Sequence, residues 1–294
     1  MIKKILFNVI LFFLLFSIVI SAFYYYNRIQ KEKLSENKIK FVVTVGAIGG
    51  LLKEIGGLRV EIINLAKGAH AHEISIPPSD IKEIKRAKGI FKIGYGFDDW
   101  VDKLSKENKI PLKQIDKNVQ LIKRKNIVNP HYWLSVDNLK EISKNIYVTL
   151  IETDPDYSWY YFKNYQILMN KLNEIKKYEG KFKNLKNKKI IATHSAVDYL
   201  AKEINLQILG YLKTEEGKDL SVKDFYNLVN FVKKENIKTL IAEKGFLTES
   251  VRQFAKIYNL NIVEINPLEV MDLEKENIIE VMQNNLEKIY QNIL

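Results

Sequence analysis

Short runs of β-branched and apolar residues alternate with segments of helical spacing along most of this 294-residue chain. IKFVVTVG, which starts at Ile39, precedes AIGGLLKEIGG, and the second half repeats the order with KKIIATH before SAVDYLAKEIN. Strands that each lead into a helix are typical of a mainly parallel sheet covered by helices. The sequence therefore predicts an α/β fold.

One long segment without a strand signal separates two such alternating regions. From Asp156 to about Phe182 apolar residues recur at helical spacing, and the segment contains no proline and only one glycine, Gly180. This pattern predicts a helix of more than 20 residues. We therefore expect two lobes, at 39–153 and 185–294, each a mainly parallel sheet flanked by helices, joined by one long linking helix at 154–184.

The N-terminus is the most apolar part of the chain. Residues 5–26 carry no charge, and as a helix they would span about 33 Å, which is enough to cross a bilayer. Two readings stay open for residues 1–27: a signal peptide cleaved after Ile20-Ser21-Ala22, or a retained membrane anchor, which its length favours. Residues 28–38 are polar and predict a tether.

Composition excludes several classes of protein. The chain has no cysteine, which excludes disulfides, cysteine-ligated zinc, iron–sulfur clusters and attachment to lipid through cysteine. Its 46 Lys and Arg against 35 Asp and Glu give a net charge of +11, but the excess is spread through mixed segments and has no reading motif. We therefore expect no nucleic-acid partner.

The four histidines share a position in the predicted fold. His70, His72, His131 and His194 each follow the predicted carboxyl end of a strand, directly or in the loop beyond it. Ligands of open α/β sheets bind at that edge, and imidazole is a favoured ligand of zinc and similar metals. Because the histidines are far apart in sequence, they can meet only if the two lobes face each other.

The segments around these histidines resemble the metal-specific solute-binding proteins of ABC transporters, the ZnuA- and TroA-like family. GAHAHEISIPPSD resembles the family's first ligand segment, NPHYWLS its second and ATHSAVDYLA its third. LIAEKGF and EINPLEV resemble its last two strand exits, so that the likeness runs in order over about residues 40–270. The resemblance implies a divalent metal held between two lobes.

Carried over residue by residue, the resemblance implies that His72, His131 and His194 are metal ligands. A histidine at the third position is similar to the zinc branch of the family, whereas the manganese branch usually has a glutamate there. Three imidazoles also suit zinc, because manganese prefers more carboxylate oxygen. We therefore expect Zn²⁺, with Mn²⁺ as the alternative.

The sequence departs from the family pattern at two places. Asn266 stands where the family usually has an aspartate as fourth ligand, so it binds weakly or leaves that place to water or to another carboxylate. Glu243, at the neighbouring strand exit, is the nearest candidate by sequence, or else a surface or helix-capping acid. His70 replaces the usual aspartate; it joins the site, orients His72, or is an exposed loop residue.

The function that the resemblance implies is capture and delivery. We expect a monomeric extracytoplasmic protein, with no enzymatic activity, that hands a metal ion to an ABC permease in the membrane for import. Three alternatives remain open: a manganese- or iron-binding member of the family, a surface adhesin, and a zinc-dependent hydrolase whose water completes the metal shell. Against the hydrolase, the sequence has no G-x-S-x-G motif and no phosphate loop.

Overall fold

A computed structural model describes residues 2–66, 76, 78–124, 126–185, 188–214 and 219–293. It contains two four-stranded sheets, and all strand pairs within each of them are parallel. Helices pack against both sheets, and one long helix connects the two halves of the chain. The predicted fold class is thus confirmed, whereas the lobe boundaries at 39–153, 154–184 and 185–294 stay predictions.

The strands of both sheets are short. In chain order, the strands are β1 (Ile39–Val43), β2 (Val60–Asn64), β3 (Ile90–Phe91), β4 (Leu112–Lys113), β5 (Lys123–Arg124), β6 (Ile127–Val128), β7 (Lys189–Ala192), β8 (Gln207–Tyr211), β9 (Thr239–Glu243) and β10 (Asn261–Ile265). The first sheet has the order β2-β1-β3-β4 and the second β10-β9-β7-β8, while β5 and β6 form an antiparallel pair.

Most helices lie between two strands in the order of the chain. The helices are α1 (Ile2–Ser35), α2 (Gly46–Gly56), α3 (Pro78–Ile84), α4 (Val101–Asn108), α5 (Val136–Thr153), α6 (Ser158–Tyr178), α7 (Asp198–Glu203), α8 (Val222–Lys234), α9 (Glu249–Ile257) and α10 (Ile278–Ile293). Ser221 caps the start of α8, because its hydroxyl accepts a hydrogen bond from the backbone N–H of Asp224 at 3.1 Å.

Two helical segments differ from the sequence analysis. No element was assigned to residues 136–153, which form α5, capped by the hydroxyl of Ser135. The predicted polar tether at 28–38 is helical as far as Ser35, as part of α1. Its residues are mostly good helix formers without Gly or Pro, and Arg28 and Glu32 form an ion pair one turn apart at 2.9 Å.

The linking helix α6 lies inside a core that both halves share. Leu168 and Leu172 of α6 are fully buried in one apolar cluster with Phe41 of β1, Ile190 of β7 and Leu286 of α10. Helix α6 contacts α2 and α5 from the first half and α10 from the second. The apolar stripe of α6 therefore holds the two halves together by the hydrophobic effect.

Ion pairs at the end of α6 also connect the two halves. The ammonium of Lys176 lies 2.7 Å from Asp137 of α5, 2.8 Å from Glu179 and 3.1 Å from Glu203 of α7. Glu203 also accepts hydrogen bonds from the first two backbone N–H groups of α5. Burial, together with the nearby Glu203 carboxylate, raises the pKa of Glu179 to about 7.

The packing of α6 generates a stability prediction. We expect Leu168→Ala to lower the free energy of unfolding by about 2–5 kcal/mol, because Leu168 is 0% exposed and its removal leaves a cavity in the shared core. Urea denaturation of the full chain in detergent micelles, followed by circular dichroism, measures this loss. The control is Ile167→Ala on the same helix, which is 44% exposed and should change stability by no more than about 0.5 kcal/mol. Equal losses in both variants would contradict the role assigned to the α6 stripe.

Candidate metal centre

His131 lies in a turn that its own segment fixes. It follows β6 by three residues and immediately precedes a 3-10 turn at Tyr132–Leu134. The side-chain oxygen of Asn129 accepts a hydrogen bond from the backbone N–H of His131 at 3.0 Å, and the imidazole is 3% exposed. The ring is therefore held in the protein interior rather than in solvent.

His194 comes from the second sheet and meets His131. It follows β7 by two residues, begins the 3-10 turn Ser195–Val197 and is 4% exposed. The two ring centres lie 4.9 Å apart, with the ring planes at 87°. Two imidazoles that share one tetrahedral zinc ion, at Zn–N distances of about 2 Å, have ring centres roughly 5 Å apart. The pair thus has the spacing that a shared ion requires.

Aromatic rings surround the histidine pair. Phe97 and Trp133 lie with their ring centres 5.6 Å and 5.2 Å from that of His131, and Phe246 stacks on His194 at 5.2 Å. Phe97 and Trp133 are almost completely buried. Apolar walls exclude water, so that polar and ionic interactions inside them are stronger than in solvent.

Glu243 lies beside His194 at the end of the neighbouring strand β9. Its side chain is 2% exposed, and its Oε2 lies 3.7 Å from Nδ1 of His194. The other carboxylate oxygen, Oε1, is buried and has no hydrogen-bond partner within the part of the chain that the structure describes. A buried carboxylate oxygen without a partner is costly, which makes Glu243 a group able to accept a cation.

Asn266 uses its side chain within its own loop. Its Oδ1 accepts the backbone N–H of Leu268 at 2.9 Å, and its Nδ2 lies 3.4 Å from a carboxylate oxygen of Glu276. Asn285 binds both the N–H and the carbonyl of Asn266, at 2.9 and 2.7 Å. These bonds build the turn after β10, a role that the sequence analysis did not assign to Asn266.

Glu269 is a buried acid in the same loop that the sequence analysis missed. It is 6% exposed, and its carbonyl accepts the backbone N–H of Gly46 at 2.7 Å. The preceding Leu268 is fully buried with φ at +58°, an unusual conformation for a branched residue. The indole N–H of Trp133 donates to the carbonyl of Pro267 at 2.9 Å, which fixes the loop against the His131 segment. The sequence signal that could have identified Glu269 is its position as an acid among apolar residues just after strand β10.

A third buried acid, Asp198, lies at the start of α7, on the far side of Asn129 from His131. Its side chain is 4% exposed and lies 2.8 Å from the guanidinium of Arg124, and the hydroxyl of Tyr211 donates to it. Burial raises the pKa of Asp198, while the bonds from Tyr211 and Arg124 act in the opposite direction. Asp198 was not among the sequence candidates, because nothing local in ATHSAVDYLA distinguishes its aspartate from a helix-start residue.

The structure thus brings together part of the predicted ligand set. His131, His194 and Glu243 lie close together, while His70 and His72 lie outside the described residues. Among the residues that are described, no group of three His, Cys, Asp or Glu side chains is arranged to hold a metal ion. The described centre is therefore a histidine pair with a carboxylate at Nδ1 of one ring.

Comparison with known proteins gives consistent matches over nearly the whole chain. The family model of the zinc-uptake complex component A, periplasmic (ZnuA), matches residues 41–292. The metal ABC transporter substrate-binding lipoprotein SsaB of Streptococcus sanguinis is 26% identical over 288 residues, which cover 90% of this chain and 92% of SsaB. The manganese ABC transporter substrate-binding lipoprotein scaA of Streptococcus gordonii is 26% identical over 283 residues, which cover 88% and 90%.

A solved structure shows the same fold. The laminin-binding protein Lmb of Streptococcus agalactiae, described as a bifunctional protein with adhesin and metal transporting activity, is similar with a TM-score of 0.78. The sequences are 24% identical, and the match covers 87% of this chain and 100% of Lmb. With the family model matching residues 41–292, the chain belongs to the ZnuA family of ABC-transporter solute-binding proteins for metal ions, which are extracytoplasmic binding proteins and not enzymes.

Proposed function

We propose that this protein captures a zinc ion and delivers it to an ABC permease for import. The observation that carries the proposal is the buried pair of His131 and His194, which come from different halves of the chain with ring centres 4.9 Å apart. His72 supplies the third imidazole in this proposal. His70 orients His72, or joins the site.

Zinc is favoured over manganese by the donor atoms. Neutral imidazole nitrogens suit zinc, whereas manganese prefers sites richer in carboxylate and water oxygens. His131 and His194 supply two nitrogens from the described residues, and the rings of Phe97, Trp133 and Phe246 lie against them. Manganese remains the alternative, because the similar protein scaA is named for manganese.

The buried acids Glu243 and Glu269 have different roles in this proposal. Nδ1 of His194 accepts the backbone N–H of Ala196 at 3.3 Å, and the Glu243 carboxylate lies 3.7 Å from it, which is too far for a hydrogen bond. In this proposal Glu243 acts as a buried negative charge beside the ring, which offsets the charge of the ion. Glu269 supplies the oxygen ligand, since its loop is fixed to Trp133 and its side chain is buried. Asn266, whose amide builds the turn, then holds the loop instead of the ion.

Delivery requires the protein to release the ion, and a small shift between the two halves and protonation of the histidines both favour release. The shared core around α6 restricts the halves to small relative shifts, and a small shift is enough to separate ligands that come from both halves. Metal-bound histidines must be neutral, so that affinity falls as pH drops below about 6.5. We propose that the protein acts as a monomer and releases the ion to a membrane permease driven by an ATPase partner.

Helix α1 is proposed to remain as a membrane anchor. Over Ile10–Ser35 it is long and apolar enough to cross a bilayer, and none of that span is buried in the protein. The guanidinium of Arg59 donates to the carbonyl of Glu36 and pairs with Asp154 at 2.8 Å, which ties the end of the helix to the first sheet. Because the sequence has no cysteine, an acylated cysteine is not the anchor of these 294 residues.

Metal titration of the full chain in detergent micelles tests the function. By calorimetry at pH 7.5, we expect one zinc ion per chain and weaker binding of manganese. His131→Ala and His194→Ala should each weaken zinc binding by about two to three orders of magnitude, since about 10–16 kcal/mol is shared among about four ligands. The control is Tyr226→Ala, an exposed change on α8. Equal or tighter manganese binding would assign the protein to the manganese alternative, and no binding of either metal would favour an adhesin.

A second titration separates the candidate oxygen ligands. Glu269→Gln should weaken zinc binding at least about tenfold, because an amide oxygen is a poorer ligand than a carboxylate. Asn266→Asp should change it less than about threefold if Asn266 only builds the turn. Glu264→Gln, an exposed change in β10, is the matched control for Glu269→Gln. Tighter zinc binding in Asn266→Asp, with no effect of Glu269→Gln, would instead place the oxygen ligand at position 266.

The fate of α1 is measured on the protein expressed with a C-terminal tag. We expect the intact chain in the carbonate-washed membrane fraction, with a mass that includes residues 1–22. Ile20→Ala gives the small-residue pattern Ala-Ser-Ala at positions 20–22 and should increase cleavage and release. A wild-type chain that begins at residue 23 would show that the segment is a cleaved signal peptide.

A further inference from the structure

The side-chain amide of Asn129 has an orientation that two backbone groups determine. Its Oδ1 accepts the backbone N–H of His131 at 3.0 Å, and its Nδ2 donates to the backbone carbonyl of Ser195 at 2.8 Å. A backbone N–H can only donate and a backbone carbonyl can only accept. The oxygen and nitrogen of this amide therefore cannot be exchanged without loss of both bonds.

This orientation determines which ring nitrogen of His131 carries the proton. Nδ1 of His131 lies 2.9 Å from the same Oδ1 of Asn129. An amide oxygen has no hydrogen to give, so that Nδ1 must be the donor. In a neutral imidazole the other nitrogen, Nε2, then holds the free lone pair. A free histidine in water favours the opposite tautomer, so the protein selects the less common one.

Asp198 accepts a further hydrogen bond from the Asn129 amide and so helps to hold its orientation. Its Oδ2 accepts the second hydrogen of the Asn129 Nδ2 group at 3.1 Å and lies 2.8 Å from the guanidinium of Arg124. The hydroxyl of Tyr211 donates to the other oxygen of Asp198. The carbonyl of Asn129 in turn accepts from the hydroxyl of Tyr199 at 2.7 Å. Every polar atom of the Asn129 side chain is thus used, within a buried network.

We propose that Asn129, held by Asp198, presets Nε2 of His131 as the metal-binding nitrogen. This inference rests on the proposed metal-binding function and extends it. Asn129 is a positioning residue, because its polar atoms are all committed to protein groups. The same amide binds the carbonyl of Ser195, the residue after His194, so that it also holds the two histidine turns at a fixed separation.

The tautomer can be measured without metal, which separates this inference from the proposed function. The full chain, labelled with ¹⁵N at histidine only, is stripped of metal with a chelator in detergent micelles at pH 8. Long-range ¹H–¹⁵N spectra distinguish protonated from unprotonated ring nitrogens, and His131→Gln assigns the signals. We expect Nδ1 of His131 to be protonated. A spectrum with the proton on Nε2 overturns the proposal, whether or not the protein binds zinc.

Variants test the part that Asn129 plays. Asn129→Leu should move the proton of His131 to Nε2 and weaken zinc binding about tenfold to hundredfold. Asn129→Asp keeps an acceptor at Nδ1 but has no hydrogen to donate to Ser195 and Asp198, so it should retain the wild-type tautomer while zinc binding weakens. The spectrum of the wild-type chain covers the case that neither variant folds. Asn170→Leu, the same change at an exposed position of α6, is the matched control. If neither variant at Asn129 differs from the control in tautomer or affinity, or if Asn129→Asp loses the tautomer in a folded protein, the proposal fails.

Discussion

The burial of α6 in a core common to both halves is the constraint on which the rest of the structure depends. Leu168 and Leu172 are fully buried against residues from both sheets, and Lys176 adds ion pairs to α5 and α7. The cavity created by even one lost leucine side chain costs about 2–5 kcal/mol, which is a large part of a typical folding free energy. The histidine turns of the two halves therefore meet at a separation that the core sets.

The sequence predicts the fold well because its signals are local. Strand-helix alternation, the Ser221 cap and the long apolar period of α6 each lie within a few residues of the element they specify. Helix α5 has one local cap, Ser135, and a second capping group, Glu203, that is far away in sequence and gives no local signal. The segment predicted as a tether is helical as far as Ser35, because polar residues that are good helix formers extend a helix as well as they form a linker.

Local sequence signals predict less of the candidate metal centre than of the fold. The strand-edge rule predicted where His194 lies, because β7 is a parallel strand of the second sheet. His131 instead follows β6 of the antiparallel pair, which that rule does not cover. Burial of Glu269 and Asp198 could not be predicted in this way, because it accompanies contacts to Gly46 and Arg124, which are far away in sequence. Loop residues obtain their roles from such long-range contacts, and spacing along the chain contains little information about them.

The hydrogen bond between Asn129 and Ser195 couples the orientation of the His131 ring to the distance between the two histidine turns. One amide binds the ring and the N–H of His131 on one side and the residue after His194 on the other. Any displacement that takes Ser195 away from Asn129 removes one of the two backbone bonds that orient the amide. The same motion changes the separation of the two rings and weakens the hold on the amide that presets the tautomer of His131. A solute-binding protein that must hold a metal tightly and still release it gains from this coupling, because one small shift weakens the site in two ways at once.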